Sequence, residues 1–384
     1  MSTVVLIGCS SYKTDTVYAA VRAGIELLGG TAAFVKAGEK ILLKPNMLAA
    51  RAPELAVTTH PAVFEAAARI FQEAGAILSY GDSPGYDRPA HAARVAGIAE
   101  IAEKLGVSVA DFETAAPAQV AEAAGAPVSF PIAKGVREAD GLISLCKMKT
   151  HSLTRITGAL KNQLGCLTGF EKARLHVRNP NPQKFSSRLA LITKIVNPRL
   201  YIMDGVTAME GEGPSGGNPV GMGVLLFSRD PVALDAVFCR LIDLDPAYVP
   251  TIAEGQALGL GTKDGVTLVG DPAENFVKPD FDVVRKPVTG DILFRPLRPL
   301  KNSIIPRPVI AAAKCEKCGV CVRACPAEPV KALAFPGGGR AAAPVYDYSR
   351  CIRCYCCQEM CPHRAVSVKT PLFGRIITRL LGKF

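Results

Sequence analysis

Over most of the first 270 residues, short apolar runs alternate with segments whose apolar positions recur every three or four residues. The runs at 3–8, 40–43, 76–80, 107–110, 141–145, 200–203 and 224–227 are rich in Val, Ile and Leu and have the length of strands. Between them, helical periodicity marks 17–28, 61–74, 92–105, 154–167, 187–195 and 232–241. Repeated βα alternation predicts an α/β domain, a mainly parallel sheet with helices on both faces, over residues 1–270. From Asp271 the pattern dissolves. Pro279, Pro287, Pro296, Pro299, Pro306 and Pro308 punctuate a basic stretch that reads as an extended linker over 271–313. Residues 314–369 hold a cysteine-dense segment, and 370–384 form a basic amphipathic tail in which Ile376, Ile377, Leu380 and Leu381 alternate with Arg375, Arg379 and Lys383.

Nine of the thirteen cysteines fall within 315–361. Cys315, Cys318, Cys321 and Cys325 are followed by Pro326, and Cys351, Cys354, Cys357 and Cys361 by Pro362, so C-x2-C-x2-C-x3-C-P occurs twice. In this spacing three thiolates wrap one iron–sulfur cube and the fourth reaches the other. The expectation is a small α+β dicluster ferredoxin domain with two [4Fe–4S] clusters. Cys315, Cys318, Cys321 and Cys361 would bind one, and Cys351, Cys354, Cys357 and Cys325 the other. Cys356 is left over. C-x2-C pairs also make zinc sites, but the doubled run ending in Cys-Pro argues against them. Cys9, Cys146, Cys166 and Cys239 sit in apolar surroundings and read as small buried hydrophobes.

Charge refines this only slightly. The net charge is +11, and nearly all of the basic excess lies beyond residue 270, where part of it would balance anionic clusters. No nucleic-acid motif accompanies it, so no nucleic-acid partner is expected. No apolar run reaches the roughly 20 residues of a membrane span, and the first residues lack a signal-peptide pattern. The cytoplasm is the expected compartment.

The large domain has neither a G-x-G-x-x-G fingerprint nor a P-loop. Instead, polar residues follow its strand-like runs: Lys44-Pro45-Asn46, Gly81-Asp82-Ser83-Pro84-Gly85, Lys147-Met148-Lys149-Thr150-His151, Asp204-Gly205 and Arg229-Asp230-Pro231. In an open α/β sheet the carboxyl ends of strands line the ligand crevice. Anion binding is therefore assigned to Lys44, Asn46, Lys147, Lys149, Lys161 and Asn162, with Thr157 and Lys161 on one face of the helix expected over 154–167. His151, Asp82 and Asp204 are the acid–base candidates. Each has a structural alternative: salt bridges for the lysines, turns or caps for the aspartates, and a helix cap for His60. A metal site built from His60, His151 and His176 is the weaker reading of the histidines.

The segments KPN at 44–46, TTHP at 58–61, GDSPG at 81–85, KMKTH at 147–151, TGALKNQLG at 157–165, DGVTAMEGEGP at 204–214 and DPVALDA at 230–236 resemble the DUF362 family, many members of which carry a C-terminal ferredoxin module. That resemblance implies the domain arrangement and the motif face, and no substrate. The expected function is an iron–sulfur oxidoreductase that feeds low-potential electrons from a redox partner protein to an anionic small molecule in the α/β domain. Two alternatives stay open. One is a non-catalytic electron carrier or assembly factor; the other is a metal-dependent isomerase or ligase with an appended ferredoxin. A flavin or a further metal is left undecided. So is the oligomeric state. The tail is expected to dock on the protein or a partner in preference to a membrane surface.

Overall fold

The computed structural model of the chain describes residues 2–121, 127–169, 171–179, 181–288 and 301–381. Its strands are β1 (Thr3–Gly8), β2 (Lys40–Pro45), β3 (Ile77–Tyr80), β4 (Ser108–Val109), β5 (Ala115–Val120), β6 (Val128–Ala133), β7 (Gly141–His151), β8 (Arg155–Thr157), β9 (Leu200–Glu210), β10 (Asn218–Ser228), β11 (Thr267–Gly270), β12 (Arg307–Ile310), β13 (Leu333–Ala334), β14 (Val345–Tyr346) and β15 (Val366–Lys369). Among the described residues one sheet runs in the order β11-β1-β10-β9-β7-β2-β3-β4, with β8 added to β7. The pairs β1–β11, β2–β3, β2–β7, β3–β4 and β7–β9 are parallel, whereas β10 runs antiparallel to both β1 and β9.

The period-two alternation within each strand splits the core between the two faces. Val5, Ile41, Leu43, Ile143, Ile202, Leu225 and Phe227 pack beneath helices Thr14–Leu27 and Pro61–Glu73. Val4, Leu6, Cys146, Met148, Met203, Val224 and Leu226 pack beneath helices Pro231–Leu241 and Pro250–Ala257. The fold is α/β, a mainly parallel sheet covered on both faces, followed by a small sheet-containing region. No helix among the described residues is long and apolar enough to cross a membrane.

Several elements differ from the sequence pattern. The helix expected over 92–105 is two helices, Pro89–Val95 and Ile98–Lys104, broken at Gly97 in the left-handed region. The helix expected over 154–167 is instead β8, a four-residue helix Ala159–Asn162, and a 3-10 turn Gln163–Cys166. Buried Asp235 fixes that break by accepting from Ala159 N at 2.6 Å and Leu160 N at 3.2 Å. Thr157 and Lys161 therefore do not share a helix face. β7 and β9 continue through the polar segments that follow their apolar runs, because β8 and β10 supply ladder partners there. The hairpin β5–β6 is an addition with no counterpart in the sequence reading.

The stretch read as a linker is only partly one. Phe281 is fully buried in the second core, and β12 pairs with β15 of the cysteine-dense module. Pro296 and Pro299 lie outside the described residues, as do Lys383 and the side chains of Ile377, Arg379, Leu380 and Leu381. The tail forms a helix, Leu372–Leu381, that closes on helix Lys301–Ile304; a Cβ on Gly374 would stand 2.1 Å from Ile304 O.

Candidate functional site

The small C-terminal region gathers its cysteines in two groups. Cys315, Cys318, Cys321 and Cys361 line one small cavity, and Cys325, Cys351, Cys354 and Cys357 line another. Left-handed backbone at Lys317 and Gly319 brackets Cys318, and the same conformation at Arg353 and Tyr355 brackets Cys354. These turns swing successive thiols toward a common centre. Tyr346 OH and Ala365 N each approach a cysteine sulfur, of Cys357 and Cys361, at 3.3 Å. Four thiols around an apolar hollow, with O–H and N–H groups aimed at sulfur, fit a cubane cluster in each group. Cys356 lines neither hollow.

A much larger cavity, about 520 Å³, lies where the carboxyl ends of the strands meet this module. Asn46 after β2, Asp82 after β3, Lys149 in β7, and Lys161 and Asn162 on the short helix all line it, together with Thr157. Asn46, Asp82, Lys149 and Asn162 are held by one buried network. Asp82 Oδ1 pairs with Lys44 Nζ at 2.8 Å, and its Oδ2 accepts from Met47 N at 2.6 Å. Lys44 Nζ and Asn46 Nδ2 both donate to Asn162 Oδ1, at 3.1 and 3.0 Å. Lys149 Nζ donates to Asn46 Oδ1 at 2.8 Å and to Val57 O at 2.6 Å. Burial pulls the Lys149 ammonium well below its usual range, and the charges of Lys161 and Lys147 add to the effect.

Lys147 and Asp204 sit elsewhere. A register irregularity between Lys147 and Lys149 against β9 gives the two lysines different surroundings. Lys147 Nζ pairs with Asp204 Oδ2 at 2.6 Å, both fully buried. Tyr12 OH donates to Asp204 Oδ1 at 2.8 Å, and His60 N to Oδ2 at 2.9 Å. The Tyr12 and His60 rings stack at 3.5 Å. His60 also caps its helix, its Nδ1 accepting from Ala62 N.

His151 faces the module. Its Nδ1 accepts from Leu153 N and Thr154 N at 3.0 and 3.3 Å, which places the ring proton on Nε2, 2.9 Å from Glu359 Oε1. Burial pushes the His151 imidazole down to about 4, so it is neutral at pH 7. Burial would raise Glu359, but His151 and Lys161 outweigh it and hold that carboxyl below its usual range. His60, His151 and His176 do not form a single-ion metal site among the described residues.

Several lining residues escape the sequence reading. Lys172, Arg174 and Arg178 come from helix Glu171–Arg178, which also brings His176, and Arg323, Lys331, Glu359 and Met360 come from the module beside Cys325 and Cys356. Lys172 Nζ donates to Ser83 Oγ and Leu167 O, and burial lowers it to about 8. The one available signal was the run E-K-A-R-L-H-V-R at 171–178. Module and domain are joined by Gln358 Nε2 to Glu212 O at 2.7 Å, Ser215 Oγ to Glu359 O at 2.5 Å and Arg323 Nε to Tyr86 OH at 2.5 Å.

The model of the domain of unknown function DUF362 matches residues 41–240. The chain belongs to the DUF362 family. A 4Fe-4S dicluster domain matches 314–365, so this family member carries a dicluster ferredoxin module. A protein of Synechocystis sp. described as thylakoid-associated is 34% identical over 261 residues, covering 68% of this chain and 80% of its own. Among solved structures, the lactate racemase apoprotein from Thermoanaerobacterium thermosaccharolyticum superposes with TM-score 0.40 at 15% identity, over 64% of this chain and 58% of that one. A Thermotoga maritima protein superposes with TM-score 0.36 at 12% identity, over 66% and 60%.

For this DUF362 chain the family segments and the ferredoxin module thus share one cavity. Lys149, Lys161, Lys172, Arg174, Arg178, Arg323 and Lys331 line it against Asp82, Glu328 and Glu359. Since Asp82 is already paired with Lys44, the cavity is cationic and suits an anionic guest.

Proposed function

We propose that the chain is a ferredoxin-coupled oxidoreductase acting on a small anionic molecule held in the cavity between its α/β domain and its module. The observation that carries this reading is that Cys325 lines both the second thiol group and the cavity. Cys315, Cys318, Cys321 and Cys361 would hold one [4Fe–4S] cluster, and Cys325, Cys351, Cys354 and Cys357 the other. Bound there, the clusters supply single electrons at low potential. The first thiol group lies beneath exposed Glu316, Lys317 and His363, the side a redox partner protein would approach.

The chain's own residues supply the remaining requirements. Lys149 and Lys161 attract the anion, Asn46 and Asn162 fix its orientation, and the module closes over it to exclude water. Lys172 Nζ, lowered to about 8, is placed to release a proton near neutral pH. His151, neutral, anchored at Nδ1 and 2.9 Å from Glu359 Oε1 at Nε2, positions Glu359 and the module. We propose the cytoplasm as the working compartment.

The test is to photoreduce the protein anaerobically and offer it the small-molecule and the macromolecular fractions of a cell extract separately. Reoxidation by the anionic small molecules supports an enzyme. Reoxidation by proteins alone overturns this reading in favour of an electron carrier.

A further inference from the structure

Four lysines approach the strand-end network, and three have internal partners. Lys44 pairs with Asp82, Lys149 is held by Asn46 and Val57 O, and Lys172 by Ser83 and Leu167 O. Lys161 is only 6% exposed and lines the cavity, yet among the described residues its ammonium makes no hydrogen bond and no ion pair. A buried cation left in this state is costly, and the cost is relieved when an anion takes the vacant coordination. Glu359 is the acidic group whose charge Lys161 feels most, but the two make no ion pair, and Glu359 Oε1 lies 2.9 Å from His151 Nε2 instead.

Two more unpaired polar groups share the lining. Thr157 Oγ1 and His176 Nδ1 are buried with no hydrogen-bond partner among the described residues. The Lys161 charge is felt at His176, and the His176 ring is fixed by stacking on Phe185 at 4.2 Å. A buried polar group is normally satisfied, so unmet demand at several points of one cavity lining points to a missing ligand atom. Exposed Arg174, Arg178, Arg323 and Lys331 on the cavity lining add positive potential at its approaches.

We propose that Lys161 anchors an oxyanion subsite, with Thr157 and His176 beside it, for a carboxylate or phosphate group of the molecule the cavity takes. The proposal rests on the cavity being the substrate site, but it requires no electron transfer. Because the helix Cys356–Glu359 borders the same lining, the oxyanion end of the substrate is the end next to the second thiol group.

The oxidised holoprotein is titrated calorimetrically with inorganic phosphate and with acetate, as wild type, Lys161→Met, Lys161→Arg and Arg174→Gln. One of the two probes should bind the wild type, and the tighter one identifies the group. Lys161→Met should weaken it by at least about tenfold, as expected for a charge-assisted hydrogen bond, and Lys161→Arg should restore most of the loss. Neither probe binding the wild type, or Lys161→Met binding normally while Arg174→Gln does not, overturns the subsite. Since no turnover is measured, that failure leaves the redox reading standing. Failure of the extract experiment likewise leaves this one.

Discussion

Asp204→Asn separates structural charges from functional ones. Asp204 is fully buried and accepts from Lys147 Nζ, Tyr12 OH and His60 N, and it does not line the cavity. The amide is nearly isosteric, but it cannot neutralise Lys147 and it turns an NH2 toward one set of donors. Breaking a buried pair by removing one partner costs about 3–5 kcal/mol, because the surviving charge stays desolvated. Against a typical domain stability of about 5–15 kcal/mol this is a large loss, roughly 10 °C in the melting midpoint for a domain of this size. The assay is far-UV circular dichroism melting of the anaerobic protein at fixed scan rate, with iron content measured alongside. Lys147→Met with Asp204→Leu should recover part of the loss, since it removes both charges together. Were Asp204→Asn to melt within a degree of wild type and yet abolish reduction of the small molecule, Asp204 would be a reacting group and the structural reading would be wrong.

Four further outcomes are expected. Anaerobic protein should hold about eight irons, kept by Cys356→Ala and reduced by Cys354→Ala, as measured by iron and sulfide analysis. A Cβ on Gly165 would stand 1.8 Å from Asp82 Oδ1, so Gly165→Ala should displace that carboxylate and weaken cavity ligands while leaving iron content unchanged; unaltered binding would remove Asp82 from the site. Burial lowers His60 to about 4, below the unfolded value near 6.5, so its contribution to stability is present above pH 6.5 and is lost as pH falls toward 4. Its ring resonances should therefore stay still between pH 7.5 and 5.5, and a midpoint near 6.5 would contradict its burial. Deleting residues 371–384 should leave flotation with anionic liposomes unchanged, because the tail helix closes on helix Lys301–Ile304; strong flotation lost on deletion would make the exposed Leu372, Phe373 and Ile376 a membrane contact.

The central strands were legible because they are short apolar runs buried on both faces, and those runs keep their pattern wherever the chain goes next; the exposed edge strand β11 gave no such signal. What failed was local. The segment 154–167 has helical spacing, but the carboxylate of Asp235, more than 70 residues on, caps a helix that starts at Ala159. Gly158 is required there because a Cβ would stand 2.0 Å from Asp235 Oδ1. Intrinsic propensity cannot anticipate a cap delivered from another element. β5 and β6 were missed because their alternation, with Pro117 and Pro131 inside, is too irregular to count as a strand signal.

The site was half legible, and the line between the halves follows how each residue is positioned. Asn46, Asp82 and Lys149 sit on or just after strands, so topology alone brings them to one end of the sheet. Lys147 has the same kind of position and the opposite fate, because one irregularity in the β7–β9 ladder points it at Asp204 instead of the cavity. Nothing in composition or spacing distinguishes the two lysines. The module side has a different reason for being hidden. Where it docks depends on contacts such as His151–Glu359, which join residues about 200 positions apart. Yet the helix bearing Cys357 also carries Cys356, Gln358 and Glu359 and is followed by Met360, all buried. In so small a module, side chains that do not face a cluster and are nonetheless buried require a second body against them. A glutamate among them requires that body to bring positive charge or hydrogen-bond donors, and on this chain it meets His151 and the field of Lys161. The residue that ties the module down is therefore the one that brings the second thiol group beside the only lysine of the strand-end network left without a partner among the described residues.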